Sequence, residues 1–278
     1  MKKILTLVLL ASVANPAAVQ AADSDWQFSL TPYLWLPTID GRLKYDLPPG
    51  SGDPTIGVGP TDWFELLNFA ALVNGSARKG RFSITSDFVY LSMSRIEDGR
   101  VIGVDDPGTP SAGFSIPVGA GLTLDTSTDL DGTQWSIDVG YALFQNDRSH
   151  MDVFVGARYF SVDVSTRWSL ESEVLGPDGD PILDAEGSAS SETELWDAIV
   201  GVRGRYGIGE SKWFLPYSLD IGTGDSETSI NAIAALGYGF GWGDLMFGYR
   251  HLEYDEGADN LLQEFSFSGP FMGAAFRF

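Results

Sequence analysis

The chain has no cysteine, no long uninterrupted apolar segment and few basic residues. Without cysteine there is no disulfide framework, no lipid-anchoring cysteine and no thiol chemistry. A transmembrane helix needs roughly 18 or more consecutive apolar residues, and no segment offers them. The 17 basic residues are outnumbered by 38 acidic ones, which argues against nucleic acid as a partner. These absences exclude helical membrane proteins, disulfide-stapled domains and nucleic-acid binders.

The first 21 residues have the three parts of a secretory signal peptide. Lys2 and Lys3 give a positive start, residues 4–13 are apolar, and Val19-Gln20-Ala21 resembles a cleavage site. We therefore expect residues 1–21 to be removed and residues 22–278 to form a single domain. Loss of the two lysines makes the remaining chain more acidic than its formal charge of −21.

The rest of the chain alternates between apolar and polar residues with a period of two, which is typical of β-strands. It is also rich in glycine and aromatic residues. The alternation predicts ten strands, at about 26–36, 69–78, 81–95, 131–145, 150–168, 192–207, 213–223, 228–242, 244–256 and 263–278. We expect an all-β fold, a closed antiparallel transmembrane β-barrel of about ten strands, within a range of eight to twelve. Twelve is the main alternative, because residues 96–130 could add short strands.

The connections between these segments alternate in length. Short turns are expected at 78–81, 146–149, 209–212 and 243, and long connections at 37–68, 96–130 and 169–191. Outer-membrane barrels have short periplasmic turns, long external loops and an even number of strands. The pattern therefore predicts the outer membrane of a Gram-negative bacterium, with both termini in the periplasm. Thr61 and Asp62 could cap a short helix at 63–67 within the first long connection.

One parity of the predicted strands is almost wholly apolar, and its aromatic residues fall into two groups. A soluble β-sandwich also alternates, but two aromatic groups at the ends of a span are typical of the girdles of outer-membrane barrels. The group beside the short turns or termini is Trp26, Phe82, Tyr206, Trp213, Trp242 and Phe278. The group farther along the strands is Tyr90, Trp135, Tyr159, Trp196 and Tyr249.

The opposite parity carries charged residues and is expected to face the lumen. These candidates are Asp87, Asp138, Arg158, Asp197, Arg203, Arg205, Asp220 and Arg250. They could form a salt-bridged filling of a narrow barrel or the charged lining of a pore for small solutes or ions. Filling is favoured, because a barrel of about ten strands is close in size to eight-stranded barrels whose interiors are filled by side chains.

The last residues are expected to form a strand that closes the barrel. Gly273, Phe276 and the terminal Phe278 resemble the C-terminal recognition signal of bacterial outer-membrane barrels. Phe271 departs from the polar residue often found two positions before that glycine. The signal implies outer-membrane lipid and the barrel assembly machinery as partners during biogenesis.

Three segments resemble recurring segments of uncharacterised proteobacterial outer-membrane β-barrel proteins, a porin-like family. They are Thr31-Pro32-Tyr33-Leu34-Trp35-Leu36-Pro37 with Asp40-Gly41, Val155-Gly156-Ala157-Arg158-Tyr159, and Gly248-Tyr249-Arg250-His251-Leu252-Glu253-Tyr254-Asp255. The resemblance covers most of residues 22–278 and implies fold and location, but no reaction or ligand. His251 stands where this family would have tyrosine.

We expect a non-enzymatic outer-membrane barrel, structural or porin-like, with a narrow charged lumen and no cofactor or metal. A surface barrel for binding or adhesion is the alternative, and it would use acidic loop residues that include Asp105, Asp106, Asp178, Asp180, Asp184 and Glu186. A lipid-modifying enzyme or protease is the less favoured alternative. His150 is expected in a solvated turn and His251 on the outer face. A hydrolase built on His251 would need a nucleophile and an orienting acid within hydrogen-bond reach.

Overall fold

A computed structural model describes residues 26–43, 55–58, 63–103, 121–172, 184–255 and 262–278. The predicted signal peptide lies outside these residues. Their elements, in chain order, are β1 (Trp26–Trp35), β2 (Thr38–Leu43), β3 (Thr55–Val58), α1 (Trp63–Leu66), β4 (Leu67–Lys79), β5 (Phe82–Gly103), β6 (Gly121–Gln145), β7 (His150–Ser172), β8 (Asp184–Gly207), β9 (Trp213–Gly224), β10 (Thr228–Gly239), β11 (Gly243–Asp255) and β12 (Leu262–Arg277).

Ten of the strands form a closed antiparallel barrel. β4 to β12 follow one another around the wall, and β1 closes it by pairing with both β4 and β12. Each of these ten strands is therefore paired on both sides over part of its length, which removes the free edges of an open sheet there. The prediction of a ten-stranded closed barrel is confirmed. The two additional strands, β2 and β3, come from residues 37–68 rather than 96–130, and they extend the sheet beside β12 without entering the closed wall.

Strands β5 to β8 are longer than the sequence predicts. They have 22 to 25 residues, whereas β1, β4, β9, β10 and β11 have 10 to 13. The predicted connection at 96–130 is therefore partly strand, as β5 continues to Gly103 and β6 begins at Gly121; likewise β7 continues to Ser172 and β8 begins at Asp184. In these extensions the alternation of apolar and polar residues is weaker, although the backbone pairing continues. The strands predicted from that alternation are therefore too short.

The short helix was predicted correctly, and α1 covers Trp63–Leu66. Its proposed capping residues, Thr61 and Asp62, lie outside the described residues. In the part of the chain that the structure describes, no helix is long and apolar enough to cross a membrane.

The outer surface of the barrel carries a continuous zone of exposed apolar side chains, which we call the apolar belt. Soluble monomers rarely expose an apolar surface of this extent. The belt includes Trp26, Phe28, Leu30, Phe82, Ile84, Phe88, Trp135, Ile137, Val139, Tyr141, Val153, Val155, Trp196, Val200, Val202, Tyr206, Trp213, Leu215, Leu219, Ile221, Leu245, Phe247, Tyr249, Met272 and Phe276. Neighbouring aromatic rings pack together within it, as Trp135 and Tyr159 do with Trp196.

The interior has two layers. Toward the ends of the strands that carry the long connections, buried apolar side chains form a cluster that we call the apolar plug. It consists of Trp35, Ile39, Trp63, Leu72, Val89, Leu91, Met93, Ile96, Leu130, Phe160, Val162, Val164, Leu195, Leu252, Tyr254, Phe265 and Phe267. Toward the short turns, the interior is polar and charged.

Helix α1 contributes directly to the apolar plug. Trp63 is buried among the strands, and its indole Nε1 donates a hydrogen bond of 2.7 Å to the carbonyl oxygen of Pro37. This contact joins α1 to the bend between β1 and β2. The segment predicted as an external loop therefore sends one large side chain into the barrel.

Candidate functional site

The candidate site is the charged layer of the barrel interior. It is defined by Arg78, Asp87, Asp138, Asp152, Arg158, Arg203, Asp220 and Arg250, which come from seven different strands. Successive residues of a strand point to opposite faces, so these residues point into the barrel while neighbours such as Val153 and Tyr249 point outward. Closure of the sheet brings them together from distant parts of the sequence.

Arg158 and Asp220 form one ion pair of the charged layer. The Nη2 of Arg158 on β7 contacts Oδ1 of Asp220 on β9, and both side chains are almost completely buried. The other oxygen of Asp220 accepts a hydrogen bond of 2.8 Å from the amide of Asn231 on β10. Three strands are thus joined by one connected group of polar side chains.

Arg250 on β11 is the centre of the layer and is only 3% exposed. Its Nε donates to Asn231 at 3.0 Å and its Nη2 donates to Gln134 at 2.9 Å. Its Nη1 lies 2.9 Å from the hydroxyl of Tyr33 and 3.0 Å from Oδ2 of Asp87. Arg250 therefore links the Asp220 group to strands β1, β5 and β6 across the lumen.

The carboxylate of Asp87 accepts hydrogen bonds from side chains on three strands. Besides Arg250, the hydroxyl of Tyr33 donates to its Oδ1 at 3.0 Å, and the amide of Asn74 approaches the same oxygen at 3.4 Å. Burial of a carboxylate is tolerated only when such partners replace water. The surroundings of Asp87 meet this requirement.

A second group lies nearer the short turns. Both terminal nitrogens of Arg203 contact the carboxylate of Asp138, at 2.8 and 2.7 Å, and its Nε lies 3.9 Å from Asp152. Asp152 also pairs with Arg78 and accepts a hydrogen bond from Ser83 at 3.2 Å. The guanidinium of Arg203 lies 4.8 Å from the centre of the Phe154 ring.

Gly140 makes the position of Arg203 possible. A Cβ atom at this residue would lie 2.9 Å from Nη2 of Arg203 and 2.6 Å from the hydroxyl of Ser83. A side chain at residue 140 would therefore have to displace the ion pair from the wall.

The remaining predicted lumen residues have separate partners. Arg205 pairs with Asp244 at 2.6 Å and lies over the ring of Phe214, and Asp244 also contacts Arg277. Asp197 does not join the charged layer. Its carboxylate instead accepts hydrogen bonds from the backbone nitrogen and the hydroxyl of Ser226, at 3.1 and 2.7 Å, in the turn between β9 and β10.

A cavity of about 330 Å³ remains within the charged layer. Arg158, Arg203, Asp138 and Asp220 line it, together with His150. His150 was expected in a solvated turn. It is instead the first residue of β7, directly after the turn, and it is half-buried. The cavity lies between ion pairs, and none of the residues that line it belongs to the apolar plug.

The sequence pattern missed several members of these groups. Arg78, Asp152, Asp244 and Arg277 have the inward parity, but each lies within a few residues of a strand end, where turn residues are also charged. Gln134, Asn231 and Tyr33 are neutral, so a pattern of charged residues on the inward face does not identify them.

The residues of the predicted assembly signal lie in the closing strand. Gly273 pairs with Tyr33 of β1, and the backbone of Phe278 exchanges two hydrogen bonds with Phe28, at 3.0 and 3.2 Å. Phe276 packs against Trp242, with 5.4 Å between ring centres. Phe278 itself is 74% exposed. Their role in assembly stays a prediction.

Among the described residues, no group of three or more His, Cys, Asp or Glu side chains is arranged to hold a metal ion. Asp105, Asp106, Asp178 and Asp180 lie outside the described residues. The backbone of Asp184 begins β8, and Glu186 lies on the same strand with an exposed side chain.

No protein-family model and no curated protein matches the chain. Among solved structures, it is similar to the outer membrane protease OmpT from Escherichia coli, with 11% identity, a TM-score of 0.46 and coverage of 91% of this chain and 96% of that one. It is also similar to Ail, the attachment invasion locus protein of Yersinia pestis, with 10% identity, a TM-score of 0.32 and coverage of 91% and 98%. The translocator domain of the autotransporter NalP from Neisseria meningitidis has 12% identity, a TM-score of 0.35 and coverage of 93% and 90%. At this level of similarity we infer neither location nor activity from these proteins.

Proposed function

We propose that the protein is an integral outer-membrane barrel with a sealed lumen, which serves as a structural scaffold for the long strands and loops at its external end. A reversal of polarity along the strands carries this proposal. On β7, Val153 and Val155 face outward, whereas farther along the strand Phe160, Val162 and Val164 face inward and are buried.

The reversal marks the boundary between two environments. Beside the buried residues Phe160, Val162 and Val164, the outward positions of β7 are Ser161, Asp163 and Ser165. A strand in lipid places apolar side chains outward, and a strand in water places them inward. The same inversion occurs on β11, where Phe247 and Tyr249 face outward but Leu252 and Tyr254 face inward.

The two interior layers support a sealed rather than porin-like lumen. The charged layer is connected across the barrel through Arg250, and the apolar plug fills the space beyond it. A solute crossing the barrel would have to break buried ion pairs and then enter a packed apolar region. This path is unfavourable for ions and for polar solutes.

The orientation that fits this proposal places the short turns and both termini in the periplasm. The predicted short turns join β4 to β5, β6 to β7, β8 to β9 and β10 to β11. Outer-membrane lipid then surrounds the apolar belt, and the barrel assembly machinery would receive the closing strand.

Separation of cell membranes by density tests the proposed location. The protein should be found with the outer membrane, resist extraction by alkaline carbonate, and migrate differently in gels before and after boiling, as folded barrels do. A protein recovered from the soluble periplasmic fraction would contradict the proposal.

A second candidate function is binding at the external surface. It is favoured by the length of β5 to β8, because a strand needs only about 9–11 residues to cross the membrane. Roughly a dozen residues of each strand therefore extend beyond the apolar belt. Replacement of residues 96–130, which include the extensions of β5 and β6, by a short glycine-serine linker should abolish binding to host or bacterial surfaces without loss of the folded barrel.

A further inference from the structure

Three polar side chains on the outer face of β11 and β12 form a connected hydrogen-bonded group. The Nδ1 of His251 lies 2.6 Å from the hydroxyl oxygen of Ser268, and its Nε2 lies 3.0 Å from Oε2 of Glu253. His251 and Ser268 are directly opposite each other in the pairing of the two strands, and Glu253 follows His251 on the same face. Glu253 and Asp255 are near His251 in the sequence, but no serine motif in the sequence pointed to Ser268.

The group lies at the external edge of the apolar belt. On β11 the outward residues change from Leu245, Phe247 and Tyr249 to His251 and Glu253. This change coincides with the reversal of polarity described above. In the proposed orientation, the three side chains are level with the boundary between the acyl chains and the head groups of the outer leaflet.

We propose that Ser268, His251 and Glu253 form a catalytic triad that hydrolyses acyl esters of membrane lipids. This inference goes beyond the proposed scaffold function and adds an activity to the outer face of the barrel. It rests on a nucleophile, a base and an orienting acid within hydrogen-bond distance of one another.

The hydrogen bonds assign a role to each ring nitrogen of His251. With the proton on Nε2, this nitrogen donates to the carboxylate of Glu253, and the lone pair of Nδ1 accepts the hydroxyl proton of Ser268. Glu253 thereby holds the neutral ring in the tautomer that a general base requires. The charge of Glu253 also stabilises the imidazolium that forms when His251 takes the proton.

The reaction needs only the ester and water. Ser268 Oγ attacks the carbonyl carbon of the ester, its proton passes to Nδ1 of His251, and the carbonyl electron pair moves onto oxygen. Collapse of the tetrahedral intermediate breaks the bond to the alkoxy oxygen, which leaves with the proton from His251. Water then attacks the carbonyl carbon of the acyl-Ser268 and gives a proton to Nδ1 of His251. The bond between the acyl carbon and Ser268 Oγ breaks, His251 returns that proton to Oγ, and the fatty acid is released.

The neighbouring residues leave room for a lipid and supply one further donor. The residue opposite His251 on β10 is Ala232, whose small side chain leaves that flank of the ring uncovered. On the other side, Thr38 of β2 is opposite Ser268 and lies on the same face. In the proposed reaction its hydroxyl would donate to the oxyanion that develops beside Ser268.

Labelling with a fluorophosphonate tests the nucleophile without relying on turnover. The full-length protein, folded in detergent and checked by its heat-dependent gel migration, should be labelled on the peptide that contains Ser268. The Ser268→Ala and His251→Phe variants should lose the label. Ser165→Ala is the control, because Ser165 is an exposed, outward-facing serine of β7, which β8, β9 and β10 separate from β11.

Hydrolysis assays then test the substrate class. Fatty-acid release should be measured from phosphatidylglycerol vesicles and, separately, from vesicles that contain lipopolysaccharide. Release from either supports the proposal and identifies the lipid. Loss of Ser268 or His251 should lower the rate at least about 100-fold, and Glu253→Gln should lower it less.

Two results would overturn the proposal. The first is a folded wild-type protein that is neither labelled at Ser268 nor able to release fatty acid from either vesicle. The second is release that persists unchanged in a folded Ser268→Ala variant. If that variant does not fold, the labelling of the wild-type protein decides. Heat-dependent migration shows independently whether the barrel itself has formed.

Discussion

The guanidinium carbon of Arg250 lies 4.8 Å from the centre of the indole ring of Trp35. Arg250 belongs to the charged layer and Trp35 to the apolar plug, so this contact joins the two layers that fill the barrel. An arginine over an aromatic face gains attraction from the electrons of the ring. The same side chain therefore holds the polar network together and supports the packed layer beyond it.

Replacement of Arg250 by methionine should destabilise the barrel. Asp87 would lose its ion-pair partner while remaining largely buried, and breaking a buried pair in this way costs about 3–5 kcal/mol. Unfolding by urea of the protein in lipid vesicles, followed by tryptophan fluorescence, should show a lower midpoint. The double variant Arg250→Met/Asp87→Asn should recover part of the loss, and equal midpoints for wild type and the single variant would contradict the role of Arg250.

A double-mutant cycle on Arg158 and Asp220 should show strong coupling. Each single change, Arg158→Ala or Asp220→Ala, leaves a charge that is almost completely buried without its partner. The loss for both changes together should therefore be smaller than the sum of the single losses, by roughly 1–3 kcal/mol. Additive losses in urea unfolding would show that the two side chains do not stabilise each other. The exposed pair Arg167 and Asp129 is the control and should show weak coupling.

The outward-facing residues of the barrel wall could be predicted from the sequence more completely than the residues that fill its interior. Parity alone identified the outward residues Trp135, Ile137 and Val139 because lipid-facing positions are uniformly apolar. Parity does not reveal the apolar plug, because Phe160 and Val162 have the same parity as Arg158 and only the environment along the strand changes. Partners such as Asn231 and Asp244 depend on barrel closure, which brings together residues far apart in the sequence.

Deletion of Phe278 should lower insertion into the outer membrane far more than it lowers export. Its backbone pairs with Phe28 at the seam where the barrel closes, and its side chain is exposed for recognition. The measurement is the yield of heat-modifiable protein in the outer membrane relative to total exported protein. An unchanged ratio would argue against a role for the terminal residue. Trp213→Ala is the control, because it removes an exposed aromatic ring that packs against Tyr238 and not against the closing strand.

An epitope tag at Gly179 should be accessible to antibody on intact cells, whereas a tag at Gly80 should not. Gly179 lies between β7 and β8, outside the described residues, and Gly80 lies in the short turn between β4 and β5 with a φ of 57°. Both tags should be detected after the outer membrane is permeabilised. Surface labelling of the Gly80 tag alone would reverse the proposed orientation.

Single-channel recording from the purified protein in a planar lipid bilayer tests the sealed lumen most directly. The ion pairs around Arg250 and the apolar plug together close the barrel, so the wild-type protein should insert without producing stepwise currents of small ions. Insertion can be verified by protease protection of the same preparation. Stable open-channel currents from the inserted wild-type barrel would contradict a sealed lumen and support a porin-like function instead.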